Sequence, residues 1–265
     1  MERLIAVPHF FLAPGAIQGD AVTITGSLAS HVAGALRHRT GDRLTVVGEG
    51  GRRYRIVLTE AGPRRVRGVI VEQLSSDHPP RLRVTLAQAV LKGSHMDGVL
   101  QKATELGVHH IVPLVTRRTV VRPRDHRSSR QVARWRAIVL EAAQQSERVS
   151  IPDVDDPRPF DAWVRSNPSD DAARLLLWER EASRSLRDHL GPGPPGDRAA
   201  LLVGPEGGFD PDEVDLARAA GFVPVSLGRA ILRAETAGLT ALTILQFAWA
   251  DLGGPRTASD NAPHD

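Results

Sequence analysis

The chain has 265 residues, 41 % of them hydrophobic and 25 % charged, a length that predicts about two domains at roughly 150 residues each and a content sufficient for a core. No run of about 18 apolar residues is present to span a membrane. The absence of cysteine excludes disulfides, thiolate nucleophiles and cysteine-ligated zinc or iron–sulfur sites.

The first 74 residues read as mostly β. Strands are predicted at Ala21 to Thr25, Arg43 to Gly48, Arg52 to Glu60 and Arg65 to Leu74, with turns at Gly41-Asp42, Gly50-Gly51 and Gly62-Pro63. A short helix capped by Ser27 interrupts them and runs through His31 to His38. The polar stretch 75–80 ends in two prolines and marks a domain boundary. Beyond it strands alternate with helices, the pattern of an α/β domain with a parallel sheet. The strands are Leu82 to Val90, His110 to Val115, Arg174 to Trp178, Ala199 to Val203 and Val223 to Leu227. The helices are Ser94 to Leu106, Gln131 to Glu147, Pro211 to Ala220 and Glu235 to Asp251. Leu190 to Arg198 reads as a Pro/Gly loop and residues 253–265 as a disordered tail.

Charge is distributed unevenly. The formal net charge is only +3, yet 32 of the 34 basic residues are arginines, Lys92 and Lys102 being the two lysines. Arg117 to Arg136 carries eight arginines against Asp125, and Arg37 to Arg67 carries nine against Asp42, Glu49 and Glu60. Clustered guanidinium forks suit phosphate oxygens, so an RNA or DNA backbone is the expected partner, with Arg37, Arg53, Arg117, Arg118, Arg122 and Arg148 as candidate contacts. A solvated basic surface is the alternative. The ten histidines form no HExxH motif and no close pair beyond His109-His110, so no metal site is expected. The start MERLIAVPHFF lacks a basic region leading into a small-residue cleavage site, and a cytoplasmic location is the expectation.

Two loops carry the chemistry. Val203 ends a strand, Gly204 to Gly208 turns, and Asp210-Pro211-Asp212-Glu213 opens a helix with a cap, a first-turn proline and a capping-box glutamate. The loop lies beyond a strand's carboxyl end, where open parallel sheets bind ligands. No GxGxxG or GxxxxGK[ST] motif is present, and Glu206, Asp210, Asp212 and Glu213 would repel phosphate, so an uncharged or cationic ligand fits better than an anion. The second loop, Ser226 to Gly238, offers apolar Leu227, Ile231 and Leu232 beside Gly228 and leads through Arg233 and Glu235 into the last helix. Apolar walls with backbone donors and acceptors suit an adenosine-type ligand. A tight turn with no ligand is the alternative for the first loop, and ordinary core for Ile231-Leu232.

The pair GPEGGF and LGxxILRxETA resembles the bacterial 16S rRNA uridine N3-methyltransferase family, of the SPOUT class of S-adenosylmethionine enzymes. Three more segments share the resemblance, which covers nearly the whole chain. They are His31, Leu36-Arg37 and Gly41-Asp42; Lys92, Asp97 and Thr104 to Val108, followed by Ile111, Pro113 and Thr116; and Arg134-Trp135, Ile138, Glu141-Ala142, Gln145-Ser146, Arg148 and Pro152. The resemblance implies a PUA-like β-barrel for RNA binding over residues 1–74, then a SPOUT methyltransferase domain over 80–252 with a C-terminal trefoil knot. It also implies a homodimer acting on 16S rRNA in the assembled small ribosomal subunit, with no metal. Carried over residue by residue, S-adenosyl-L-methionine contacts fall on Val203, Gly204, Glu206, Gly207, Gly208, Leu227, Gly228, Ile231 and Leu232. The chain departs from the family at Arg229-Ala230, where Pro-Arg is usual, and at Ala234, where Thr is usual.

Methyl transfer from a sulfonium is an in-line displacement that chiefly requires positioning. As the imide proton of uracil N3 leaves, charge spreads onto the flanking carbonyls, and Arg233 is the candidate to stabilise it, a structural ion pair being the alternative. Asp97, Gln101 and Glu105 share one helix face, and Glu105 is the candidate proton acceptor or anchor for a partner's arginine, a solvated face being the alternative. Two other readings compete: a SPOUT enzyme acting on tRNA or a ribose 2′-hydroxyl, and a non-enzymatic RNA-binding assembly protein. A nicotinamide dehydrogenase lacks its glycine fingerprint here.

Overall fold

A computed structural model describes residues 9–74, 82–121, 125–166, 172–191, 193–250 and 252. The boundary stretch 75–80 and the tail 253–265 lie outside the described residues. Contacts divide the chain into two compact units, one built on Met1–His78 with Ala143–Ser150, the other on Pro79–Ala142 with Ile151–Gly254. The segment 143–150 thus joins the first unit, which no local sequence signal announces.

The first unit holds strands β1 (Phe10–Phe11), β2 (Ile17–Gln18), β3 (Ala21–Thr25), β4 (Arg43–Val47), β5 (Arg53–Ala61) and β6 (Arg65–Gln73). They form one sheet in the order β1-β4-β5-β6-β3-β2, antiparallel except for the β1–β4 pair. Alternation decides the inward face: Val22 and Ile24 of β3 are buried while Ala21, Thr23 and Thr25 are exposed. They meet Phe10, Leu44, Val46, Ile56, Leu58 and Val66, and the helical segment α1 (Gly26–Ser30) adds Ala29. That helix continues as a π-helical turn over His31–Ala35 and stops before Arg37, whose φ is +58°. The expected helix to His38 is therefore cut short at a left-handed residue.

The second unit is a parallel sheet with helices. In chain order it contains β7 (Arg83–Ala89), α2 (His95–Glu105), β8 (His110–Val115), α3 (Asp125–Gln145), β9 (Asp153–Val154), β10 (Arg158–Pro159), α4 (Phe160–Ser166), β11 (Ala172–Leu177), α5 (Leu186–His189), β12 (Arg198–Val203), α6 (Pro211–Ala219), β13 (Val223–Val225) and α7 (Ala234–Trp249). The last residues of α3 are counted with the first unit. Strand order is β10-β8-β7-β12-β11-β13, with β9 beside β8 and every pair parallel. The central strands are buried on both faces, which is why Leu201, Leu202 and Val203 run without polar interruption. One core places Leu86, Leu100, Trp135, Leu201 and Leu245 together; the other places Leu114, Trp163, Leu202, Phe209 and Phe222 together. Val132, Trp135, Val139 and Ala142 are buried along α3, as its 3.6-residue period predicts. Among the described residues no helix is long and apolar enough to cross a membrane.

The five longer strands expected in this unit are all present. The two-residue strands β9 and β10 and the short helices α4 and α5 were not expected, because elements of so few residues carry too little periodicity to read.

Candidate active site

The carboxyl ends of β11, β12 and β13 open into a cavity of about 670 Å3. Its walls combine the loop 203–209 after β12 with the loop 225–235 between β13 and α7, and add Leu177, Trp178 and Glu179 from the end of β11. Lys92 and His95, at the start of α2, complete it. All nine residues expected to hold a cofactor line this cavity, from Val203, Gly204, Glu206, Gly207 and Gly208 to Leu227, Gly228, Ile231 and Leu232, and Arg233 lines it too. Trp178, Glu179 and His95 are additions. The ends of β11 and α2 carry no glycine-rich signature, so sheet order and helix packing, not local sequence, bring them to the loops.

The first loop is held from several sides. The Gly208 amide donates to the Pro205 carbonyl at 2.9 Å, closing the turn. Gly208 sits at φ +67°, and a Cβ there would come within 2.8 Å of Glu179 Oε1. At Gly204 a Cβ would lie 3.2 Å from the Phe209 ring. Gly208 thus answers both a backbone demand and a spatial one, and Gly204 a spatial one. From β7, the buried Gln88 side-chain amide donates to the carbonyls of Ala89 and Gly204 at 3.2 and 3.3 Å. Glu206 accepts the Lys92 amide at 2.9 Å, fixing that carboxylate at the cavity edge.

A second set of contacts latches the same loop to the residues after β8. Buried Glu213, the capping-box residue of α6, accepts from the Asp210 amide at 3.0 Å and from the Arg117 amide at 2.8 Å. Arg118 donates to the Gly207 carbonyl at 3.0 Å and reaches Asp210 at 3.4 Å. Arg117 pairs with Asp210 at 2.9 Å and Asp212 at 2.6 Å. The Asp212 hydrogen bond chiefly raises the Arg117 pKa. Desolvation works against the Asp210 carboxylate, but the Asp212 amide with Arg117 and Arg118 outweighs it and holds its pKa below the ordinary value. The acids read as repelling phosphate are thus matched by the arginines read as binding it.

At the cavity mouth, Arg233 occupies the N-cap position of α7 with its side chain 82 % exposed and its guanidinium 4.0 Å from Glu235. Its carbonyl accepts from the amides of Thr236 and Ala237, so the backbone at Arg233 is fixed while the side chain reaches outward. Glu235 Oε1 lies 3.1 Å from His95 Nδ1.

Four other candidate residues, Glu105, Arg53, Arg117 and Arg118, do not line this cavity. Glu105 closes α2, ten residues after His95 and so about 15 Å along the helix, and both its carboxylate oxygens accept from Lys102 at 2.9 Å. Arg53 is only 6 % exposed, buried in β5, and does not present its guanidinium to an RNA phosphate. Arg117 and Arg118 are engaged by the latch, with side chains 58 % and 36 % exposed. Arg37 is exposed as expected. Arg148 is partly buried, and burial lowers its pKa to about 10. Arg122 lies outside the described residues.

The cavity chemistry suits a cationic, partly apolar ligand. Leu177, Val203, Leu227 and Leu232 supply apolar wall, the loops supply backbone polar groups, and Glu179 and Glu206 supply negative charge. An RNA methyltransferase domain model matches residues 78–246. The Synechocystis ribosomal RNA small subunit methyltransferase E is 36 % identical over 231 residues, covering 87 % of this chain and 74 % of that protein. The Mycobacterium tuberculosis protein of the same name is 35 % identical over 84 % of this chain and 85 % of its own. A crystal structure of the Neisseria gonorrhoeae enzyme of that name, bound to S-adenosyl methionine, matches with a TM-score of 0.83 at 32 % identity, over 93 % of this chain and 99 % of that one. With a cavity at the strand ends, a loop pair closed over it and relatives of this extent, the chain belongs to the RNA methyltransferase family, in the branch of the ribosomal RNA small subunit methyltransferases E.

Proposed function

We infer that this protein transfers a methyl group from S-adenosyl-L-methionine to N3 of a uridine in 16S rRNA of the small ribosomal subunit. The observation that carries the reading is the cavity itself: all nine residues transferred from the family's cofactor motifs line one space of about 670 Å3, within the roughly 300–1,000 Å3 of small-molecule sites. The bound cofactor supplies an electrophilic methyl group on a sulfonium. This chain's residues bind and orient it, and Glu179 and Glu206 offset its positive charge. Arg233, exposed at the mouth, meets the uracil carbonyl on which charge develops.

In this reading residues 1–74 are a PUA-like β-barrel that binds RNA, supported by the six-stranded sheet and the exposed Arg37. Residues 80–252 are a SPOUT domain whose C-terminal part forms the trefoil knot, supported by the all-parallel sheet in which β11 lies between β12 and β13. The enzyme works in the cytoplasm as a homodimer, to which the exposed Phe247 on α7 and Ile231 at the cavity, 71 % and 79 % exposed, contribute apolar surface. Displacement at a sulfonium requires positioning and proton removal, so the reaction proceeds without a metal.

The test supplies purified protein with S-adenosylmethionine and small subunits from a strain lacking this modification, followed by nucleoside mass spectrometry. N3-methyluridine is the expected product. A ribose-methylated nucleoside would reassign the chemistry, and no product together with no cofactor binding by calorimetry would leave only RNA binding.

A further inference from the structure

We propose that His95 is the catalytic proton acceptor, held in its working tautomer by Glu235; the proposal rests on the reading of the cavity as a uridine N3-methyltransferase site. N3 of a neutral uridine carries a proton that has to go somewhere as the new bond forms. Among the carboxylates around the cavity, Glu206 is tied to the Lys92 amide at 2.9 Å and Glu179 lies against Gly208 on the cofactor loop. Glu105 does not line the cavity. The cations Lys92, Arg229 and Arg233 offer charge but no lone pair.

His95 differs from all of these. It opens α2, lines the cavity, and its Nδ1 is 3.1 Å from Glu235 Oε1 on α7. A carboxylate partner makes Nδ1 the donor and leaves the lone pair on Nε2, the arrangement that turns an imidazole into a base. Its side chain is 48 % exposed, so Nε2 remains accessible to a substrate that arrives from solvent. The Arg233 guanidinium lies 4.0 Å from the same oxygen, Glu235 Oε1, so one Glu235 orients both the base and the cation that stabilises the charged uracil.

The N3 lone pair forms the N–CH3 bond, the C–S bond breaks with its electrons going to sulfur, and the sulfonium becomes a neutral thioether. The N3 proton passes to Nε2 of His95, which becomes imidazolium beside Glu235 and then releases the proton to solvent.

Two measurements test this. In the ligand-free protein, nitrogen-15 NMR of the imidazole should show Nδ1 protonated and Nε2 bare, with that preference lost in Glu235→Gln; the opposite tautomer in wild type overturns the proposal. In single-turnover assays, kcat should fall roughly 100-fold or more in His95→Gln, at the scale of general-base catalysis, while calorimetric affinity for S-adenosylmethionine is unchanged. The acid limb of the wild-type rate profile should vanish in that variant, and added imidazole should restore turnover in His95→Ala. A variant that keeps the limb makes His95 a structural partner of Glu235 and sinks the proposal. A wild type that makes no N3-methyluridine instead fails the function it rests on.

Discussion

Gly208 concentrates the demands on the cofactor loop into one residue. Its φ of +67° costs any other L-residue about 1–2 kcal/mol, and a Cβ would also press on Glu179 Oε1 at 2.8 Å. Gly208→Ala should therefore lower stability by about 1–2 kcal/mol in denaturant unfolding and weaken S-adenosylmethionine binding in calorimetry. Adding Glu179→Ala should recover the part due to the contact and leave the part due to φ. If the double variant is fully restored, backbone conformation contributes nothing there. The three glycines of the GPEGGF motif stand out in the sequence, but the acid that Gly208 accommodates lies about 30 residues earlier and meets it only because β11 runs beside β12. Arg229, the residue at which the chain leaves its family's pattern, lines the cavity, while Ala230 beside it offers no charge.

Between elements, the loop after β8 and the loop after β12 act as a unit. Arg118 ties the Gly207 carbonyl, Glu213 spans the amides of Arg117 and Asp210, and Thr116 and Thr119 close their own turn at 2.9 Å. A hydrogen bond from a charged group contributes about 1.5–3 kcal/mol, enough to set the loop conformation. Arg118→Ala is expected to weaken cofactor affinity about tenfold, with Arg118→Lys recovering only part because an ammonium lacks the guanidinium fork. Calorimetry with S-adenosylmethionine alone decides the matter. An unchanged affinity with a large loss of RNA binding would return Arg118 to the role its sequence neighbourhood suggested. Helix α7 is held by a different device: a Cβ at Gly238 would sit 3.1 Å from Gln88 and 3.4 Å from Leu86 and Val203, so this helix packs closely on β7 and β12 and carries Arg233 and Glu235 to the mouth.

For the molecule as a whole, the arginines matter through their sum. A chain with 32 arginines and a net charge of only +3 must spend many of them on internal pairs, and the structure shows Arg117, Arg118, Arg134 and Arg136 so engaged. RNA affinity should still fall steeply with salt, by about 1,000-fold between 50 and 200 mM if some six phosphates are contacted, whereas S-adenosylmethionine affinity should change little. Filter binding and calorimetry over the same salt series separate the two. A flat RNA response would mean that the arginines are occupied throughout.

The sequence by itself determined the class of the second unit and the two loops, through local signals: strand-to-helix alternation, glycines where the chain turns, and a cap where α6 starts. Its family resemblance marked nine of the residues that line the cavity. Tertiary structure alone decided which distant groups meet them. Sheet order brought Glu179 to Gly208, helix packing brought His95 to Glu235, and helix length carried Glu105 away from the cavity. Burial withdrew Arg53, and pairing turned Arg117 and Arg118 from a basic patch into a latch. The physical reason is common to all five. A one-dimensional pattern records what a residue is and what stands near it in the chain, whereas exposure and partnership depend on which strands lie side by side.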